Sequence, residues 1–284
     1  MFSVRDARAE DIPHISPWTR DTFSWGDYVA DSISRWLEDP DLKVLVAVDS
    51  EDIPRGICVV QLLSPREGWL SAARVHPDAR RQGLGTLLNE ASVDWIRDRG
   101  GEVARLAVED SNHAATSQAV KLGYRPGSSW VYAEPPEDLA PQQEDGDKPT
   151  VATRSDVDPA WMYWSTSEMA DAGRMLLPSA WKWRRATVAD IDRAARERRF
   201  VSCAAGWLVY EPRETESIEV VWVAAGQNDF PRLVSAALRF SADAGISDVY
   251  FKIPETGWSG EALRRERFEV SIVTVYSKPV LRPT

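Results

Sequence analysis

The chain has 284 residues, 43% hydrophobic and 27% charged, with 34 Lys and Arg against 44 Asp and Glu and a formal net charge of −10. This suits one large or two ordinary globular domains, and the acidic balance argues against a nucleic-acid binder, whose phosphate contacts need clustered Lys and Arg. No apolar run nears the roughly 20 residues of a membrane span. The N-terminus lacks the basic and apolar regions of a signal peptide, no Cys/His cluster has zinc spacing, and Cys58 and Cys203 read as buried free thiols in apolar runs. A cytoplasmic protein with no metal and no membrane partner is the expectation.

In chain order, Phe2 to Arg8 reads as a strand, and Glu10 to Ile15 as a short helix limited by Pro13 and Pro17. Tyr28 to Glu38 reads as a helix with Val29, Ile33, Trp36 and Leu37 on one face, stopped by Asp39-Pro40-Asp41. Lys43 to Val48 and Gly56 to Leu63 form an antiparallel hairpin around Asp49-Ser50-Glu51-Asp52. Ser64 to Gly68 turns into a strand from Trp69 to Val75. A helix follows in which Leu84, Leu87, Leu88, Ala91 and Trp95 recur at helical spacing, ending at Gly100-Gly101. Val103 to Val108 is a strand. Asp110-Ser111-Asn112 caps a helix from Ala114 to Leu122, and Ser129 to Ala133 is the next strand.

Residues 135–158 read as a polar, proline-containing linker with Gln142-Gln143-Glu144-Asp145-Gly146-Asp147 at its centre. It separates 1–134 from 159–284, and the second part echoes the first. Thr187 to Asp190 starts a helix, and Phe200 to Tyr210 and Ser217 to Ala224 read as strands. Leu233, Ala236, Ala237, Phe240 and Ala244 repeat the spacing seen from Leu84. Asp248 to Ile253 is a strand, Leu263 to Phe268 ends a helix, and Val270 to Tyr276 is a strand. The spacing Tyr124 to Tyr132 equals Phe268 to Tyr276, which suggests a weak tandem repeat.

The richest stretch is Val75-His-Pro-Asp-Ala-Arg80-Arg81-Gln82-Gly83-Leu84-Gly85-Thr86, at a strand-to-helix junction. Glycines there admit a ligand close to the backbone, and a helix N-terminus favours a phosphate. It is neither a P-loop nor a dinucleotide fingerprint. The pattern Arg80-x-x-Gly83-x-Gly85 resembles the pyrophosphate loop of the GNAT superfamily of acyl-CoA-dependent N-acyltransferases. The order of elements over residues 1–134 and the close Lys121-Leu122-Gly123-Tyr124 are also similar to that family.

The resemblance implies an α/β fold: two GNAT-like domains, each a mixed, mostly antiparallel sheet flanked by helices with a splayed parallel strand pair. It implies acetyl-CoA as acyl donor and an amine as acceptor, of a small molecule or amino acid or, as the alternative, of a protein terminus or lysine, with a monomer or homodimer acting. Val75 and its neighbours would meet the pantetheine arm, backbone amides of Arg81 to Thr86 the pyrophosphate, with Arg80 beside them, and Asn112 matches a family asparagine. The second part reads Ala225-Gly226-Gln227-Asn228-Asp229 at the equivalent place. Asp229 there would repel a pyrophosphate, so one cofactor site is expected, in the N-terminal part.

Direct transfer needs a neutral amine, hence a base or a desolvating pocket. Glu67 is the first candidate, two residues before Trp69, where the family often has a glutamate; a solvated turn residue is the alternative. Glu109 and Asp110 are further candidates for the base or simply for a helix cap, and His76 for a relay. The family's tyrosine acid falls at Ala119, a departure that leaves Tyr124 or Tyr132, water, or a silent CoA-binding module. Trp18, Trp25, Trp36, Trp161, Trp164, Trp181 and Trp183 fall in segments that could cover a cleft for an aromatic or cationic amine, or could pack a core.

Overall fold

The computed structural model describes residues 1–20, 22, 26–136, 148–213 and 216–281. Trp25 and the centre of the expected linker, 137–147, lie outside the described residues. The N-terminal half runs β1 (Ser3–Asp6), α1 (Ile12–Thr19), α2 (Val29–Glu38), β2 (Leu42–Val48), β3 (Pro54–Ser64), β4 (Glu67–Val75), α3 (Leu84–Asp98), β5 (Val103–Glu109), α4 (His113–Lys121) and β6 (Arg125–Glu134). The C-terminal half runs β7 (Thr150–Val151), α5 (Val157–Ser165), α6 (Glu168–Ala172), β8 (Leu176–Ser179), β9 (Lys182–Arg185), α7 (Val188–Arg196), β10 (Phe200–Cys203), β11 (Gly206–Pro212), β12 (Ser217–Ala224), α8 (Phe230–Asp243), β13 (Asp248–Pro254), α9 (Ser259–Arg265) and β14 (Glu269–Pro279).

Two compact units result. The first comprises Met1–Leu106, Ser117–Arg125 and Tyr276–Thr284; the second comprises Ala107–Thr116 and Pro126–Val275. These limits cut across the expected 1–134 and 159–284, because β6 pairs with β13 in the second unit, Ala133 opposite Phe251 and Trp130 opposite Pro254. The end of β14 returns to the first unit, where Val280 N donates to Glu102 O at 2.8 Å and Lys278 Nζ to Leu122 O at 2.9 Å. The linker is also shorter than 135–158. Thr150–Val151 already pairs with β10, and Thr153 and Asp156 cap the turn that leads into α5.

In the first unit the strand order is β1-β2-β3-β4-β5. All neighbours are antiparallel except β4 and β5, which are parallel. β2 buries both faces, as a central strand must. Val44, Val46 and Val48 pack with Ile15, Val29 and Ile33 of α1 and α2. α3 brings Leu84, Leu88 and Ile96 into the core; Gly68 makes room for it, since a Cβ there would lie 2.2 Å from Ile96 Cδ1. The stop after α3 is the expected one: Gly100 has φ +85°, and Gly101 N bonds back to Ile96 O at 2.9 Å. α1 runs through Pro17 to Thr19 instead of stopping there. Proline costs one bond in so short a helix, and burial of Ile15 and Thr19 outweighs it.

In the second unit the order is β14-β6-β13-β12-β11-β10-β7, again with one parallel pair, β12 and β13. The expected single strand Phe200 to Tyr210 is a hairpin, β10 and β11, turning before Gly206. A Cβ at Gly206 would lie 2.1 Å from Ala224 O. Trp164, Trp183 and Trp222 are fully buried here, with Trp130 beside Trp183. Lys252 is 1% exposed and donates to Glu219 Oε2 at 2.9 Å and Ala180 O at 2.7 Å. Burial lowers its pKa, against the opposing pull of Glu219. Each unit is thus an α/β layer structure of the expected class, a mixed and mostly antiparallel sheet flanked by helices.

Candidate functional site

The first unit's parallel pair is short. Glu67 faces Val103, Gly68 faces Ala104 and Trp69 faces Arg105, and no further pair between β4 and β5 is recorded among the described residues. β4 runs on to Val75, so its last six residues have no recorded partner on that side. A bulge follows directly. Ile57 of β3 pairs with Arg74 but Val59 pairs with Ser71, so two β4 residues oppose Cys58. Ala72 carries the strain at φ +54°. A bulge bends the strand and frees main-chain groups from the ladder, which turns this half of β4 into an open edge for a ligand.

At the end of β4 the chain enters the glycine-containing turn. Val75 still pairs with Gly56. His76 Nδ1 accepts from Asp78 N at 3.2 Å, so in the neutral ring its proton sits on Nε2. The ring edge meets Trp18 with centroids 5.5 Å apart, so His76 braces the turn. Arg80 N donates to Pro77 O at 3.3 Å, and the next recorded backbone donors are Thr86 N and Leu87 N, both to Gly83 O. The amides of Arg81, Gln82, Gly83, Leu84 and Gly85 therefore make no recorded backbone bond. Thr86, expected among the donors, spends its amide inside the helix, which corrects that reading by one residue.

The conformation of the turn explains its residues. Arg81 has φ +63° and Gly83 φ +87°; two left-handed residues two apart curl the amides toward one side. Gly83 is the residue before α3, whose 15 residues align their peptide dipoles behind it. Leu84 is 1% exposed, so its side chain anchors the turn. A Cβ on Gly85 would meet only Gln118 Nε2, at 3.4 Å. Gln82 Nε2 donates to Asp78 O at 3.0 Å. Arg80 and Arg81 are exposed. The array of donors, two guanidinium groups and a helix N-terminus fits a diphosphate.

The expected catalytic residues fare differently. Glu67 lies at the closed end of the β4–β5 pair, about 25 Å along the strand from Val75. It is 8% exposed, with Oε1 2.5 Å from Arg105 Nη1 and Oε2 accepting from Ser64 Oγ at 2.9 Å. Both oxygens are engaged, so Glu67 ties β4 to β5 and is not a free base. Tyr124 is 2% exposed and its hydroxyl accepts from Asn89 Nδ2 at 2.9 Å. Burial pushes its pKa up to about 12, and it is a core residue, not an available acid. Ala119 is 3% exposed and brings no acid either. Glu109 ends β5 with an exposed side chain, and no ion pair to it is recorded among the described residues. Asn112 Oδ1 accepts from Ala115 N at 3.1 Å and so caps α4. Asp110 accepts from Thr274 Oγ1 at 2.7 Å. Among the described residues no group of three or more His, Cys, Asp or Glu could hold a metal, and no helix is long and apolar enough to cross a membrane.

Two features escaped sequence reasoning. The Ala72 bulge has no signal in an Ala-Ala pair. The clamp of Asp27 on Arg74, 2.6 and 3.2 Å, with the Asp27 side chain buried and Arg74 over the Tyr28 ring, joins residues 47 apart. It fixes the segment before α2 to the outer part of β4.

In the C-terminal counterpart of the turn, Asp229 N and Phe230 N both donate to Gly226 O, at 3.1 and 2.9 Å. Asp229 also lies 3.6 Å from Arg232. The first turn closes in the same way on Gly83 O, so the difference between the two is chemical: this loop carries a carboxylate where the first carries Arg80 and Arg81.

Residues 12–124 match the model of the acetyltransferase (GNAT) family. A Bacillus subtilis protein named as a ribosomal protein bS18-alanine N-acetyltransferase is 28% identical over 134 residues, 44% of this chain and 82% of that one. Among solved structures, a GCN5-related N-acetyltransferase from Sphaerobacter thermophilus superposes with a TM-score of 0.66 at 16% identity, covering 100% of this chain and 97% of that one. A tandem GNAT protein from the clavulanic acid biosynthesis pathway does so with a TM-score of 0.56 at 12% identity, covering 100% and 99%. At these identities the two structures speak for the fold.

Proposed function

The chain belongs to the GNAT acetyltransferases through residues 12–124, and on that premise we propose that it moves an acetyl group from acetyl-CoA to a primary amine of a small molecule or amino acid. The observation that carries this reading is the run of unused amides from Arg81 to Gly85 ahead of α3. These donors would hold the diphosphate of the carrier, with Arg80 and Arg81 adding positive charge. Val75 and the open half of β4 would lie along the pantetheine arm, and the main chain at the Ala72 bulge would face the thioester carbonyl. Asn112 stays a candidate for the same arm.

Acetyl-CoA supplies an activated acyl group. The amine nitrogen forms the new C–N bond as the C–S bond breaks, and the sulfur leaves as thiolate. The amine must first lose a proton, since an alkylamine has a pKa of about 10. With Glu67 engaged by Arg105, Glu109 is the base we assign. The thiolate takes its proton from water, which its modest basicity permits. We expect one acyl-CoA site per chain, because Ala225 to Pro231 brings the Asp229 carboxylate where the first turn brings Arg80 and Arg81.

A protein acceptor is the second reading, favoured by the Bacillus relative, which is named for an alanine of a ribosomal protein. Acetyl-CoA binding followed by thiol release, against an amine library and against alanine-starting peptides, separates the two. Binding with turnover on neither would leave a CoA-binding module without transfer activity and overturn the enzyme reading.

A further inference from the structure

The second unit repeats the strand geometry of the first but not its chemistry. β12 and β13 pair in parallel from Ser217 opposite Asp248 to Val220 opposite Phe251. β12 continues to Ala224 and β13 to Pro254 with no further recorded pair between them. Open parallel strands place ligands beyond their carboxyl ends. At that place a cavity of about 250 Å³ lies against Gly226 and Gln227 after β12, Trp258 after β13, and Tyr163, Glu168 and Met169 from α5 and α6.

The lining states what fits. It contains no Lys or Arg, and its one charged group is Glu168. Trp258 Nε1 donates to Glu168 Oε2 at 2.9 Å, which fixes the carboxylate at the indole edge. Trp258 is itself held edge-on to buried Phe230, with centroids 5.4 Å apart. Met169, 1% exposed, forms an apolar floor. Tyr163 adds a second ring, its hydroxyl 3.2 Å from where a Cβ on Gly226 would stand. A carboxylate among aromatic rings repels a pyrophosphate and attracts an organic cation through charge and the ring faces. The volume falls below the roughly 300 Å³ at which drug-sized ligand sites begin, so the occupant is small.

We propose that the second unit binds a small organic ammonium ion between the loops after β12 and β13, a site independent of acyl-CoA. The test uses the full chain with 15N-labelled tryptophan, titrated with choline and with n-butylamine at constant ionic strength. The Trp258 indole signal is assigned by Trp258→Phe. A saturable shift of that signal with at least one cation is expected, with an apparent affinity weakened about tenfold in Glu168→Gln, which keeps an acceptor for the indole but removes the charge. Acetyl-CoA affinity stays unchanged in that variant. An absent or non-saturating shift, an equal affinity in Glu168→Gln, or the same shift produced by inorganic pyrophosphate would overturn the proposal.

Discussion

Gly83 and Gly85 stand two apart in the turn and answer differently to substitution. Gly83 sits at φ +87° with open space around it, so any side chain there strains the backbone before it meets a ligand. Gly85 has only a flexible amide within reach of a Cβ. Gly85→Asp therefore keeps the fold, and its charge near the N-terminus of α3 even favours the helix by about 0.3–1 kcal/mol. We expect an unchanged or raised Tm together with at least a tenfold loss of acetyl-CoA affinity. Retained affinity would remove the diphosphate from this turn. The two glutamates separate in the same way. Glu67→Gln leaves Arg105 without its partner and should cost about 1–3 kcal/mol in urea unfolding with the pH profile of turnover intact. Glu109→Gln should lower kcat by about 100-fold and remove the acid limb of that profile, without a stability change. Tyr124 offers a test of burial. Its pKa, about 12 in the fold against 10.0 for an ordinary phenol, means that the fold favours the neutral ring. That contribution is complete below pH 10 and is lost as the pH rises through about 12. Denaturant unfolding as a function of pH should show the fall, and Tyr124→Phe should reduce it.

At the scale of elements, β6 and β14 exchange allegiance between the halves of the sequence. Residues 276–281 complete the first unit through Glu102 and Leu122, and Lys278 lies over the Tyr124 ring at 5.8 Å. A fragment ending at Glu134 lacks these residues, and its β6 lacks β13. We expect it to unfold without a cooperative transition, and co-expression with 148–284 to restore one. A cooperative transition in the fragment alone would contradict the exchange. Sequence patterns carried the hairpin of β2 and β3, the glycine turn and α3, because each rests on local requirements: alternation, a left-handed residue, a 3.6-residue period. They did not carry the role of Glu67, whose ion pair reaches Arg105 38 residues away. Nor did they carry the β8–β9 hairpin, whose strands are only four residues each, one of them containing Pro178, or the turn that divides Phe200 to Tyr210. The exchange itself was invisible, since strand order is set by pairing partners and not by propensity.

At the scale of the whole molecule, duplication of the strand geometry comes with divergence of the two loops. One presents five amides and two arginines. The other has no arginine between Ala225 and Pro231 and carries Asp229 and, nearby, Glu168. A chain of net charge −10 does not attract an anionic carrier through its overall field, so capture falls to the local donors after Arg80. Backbone 1H–15N spectra of the full chain recorded through a titration with CoA test this directly. The account predicts that the amides of Arg81, Gln82, Gly83, Leu84 and Gly85 shift together and saturate at one equivalent, while those of Gln227 and Asn228 stay in place. Unmoved signals from Arg81 to Gly85, with saturable shifts at any other set of amides, would contradict it.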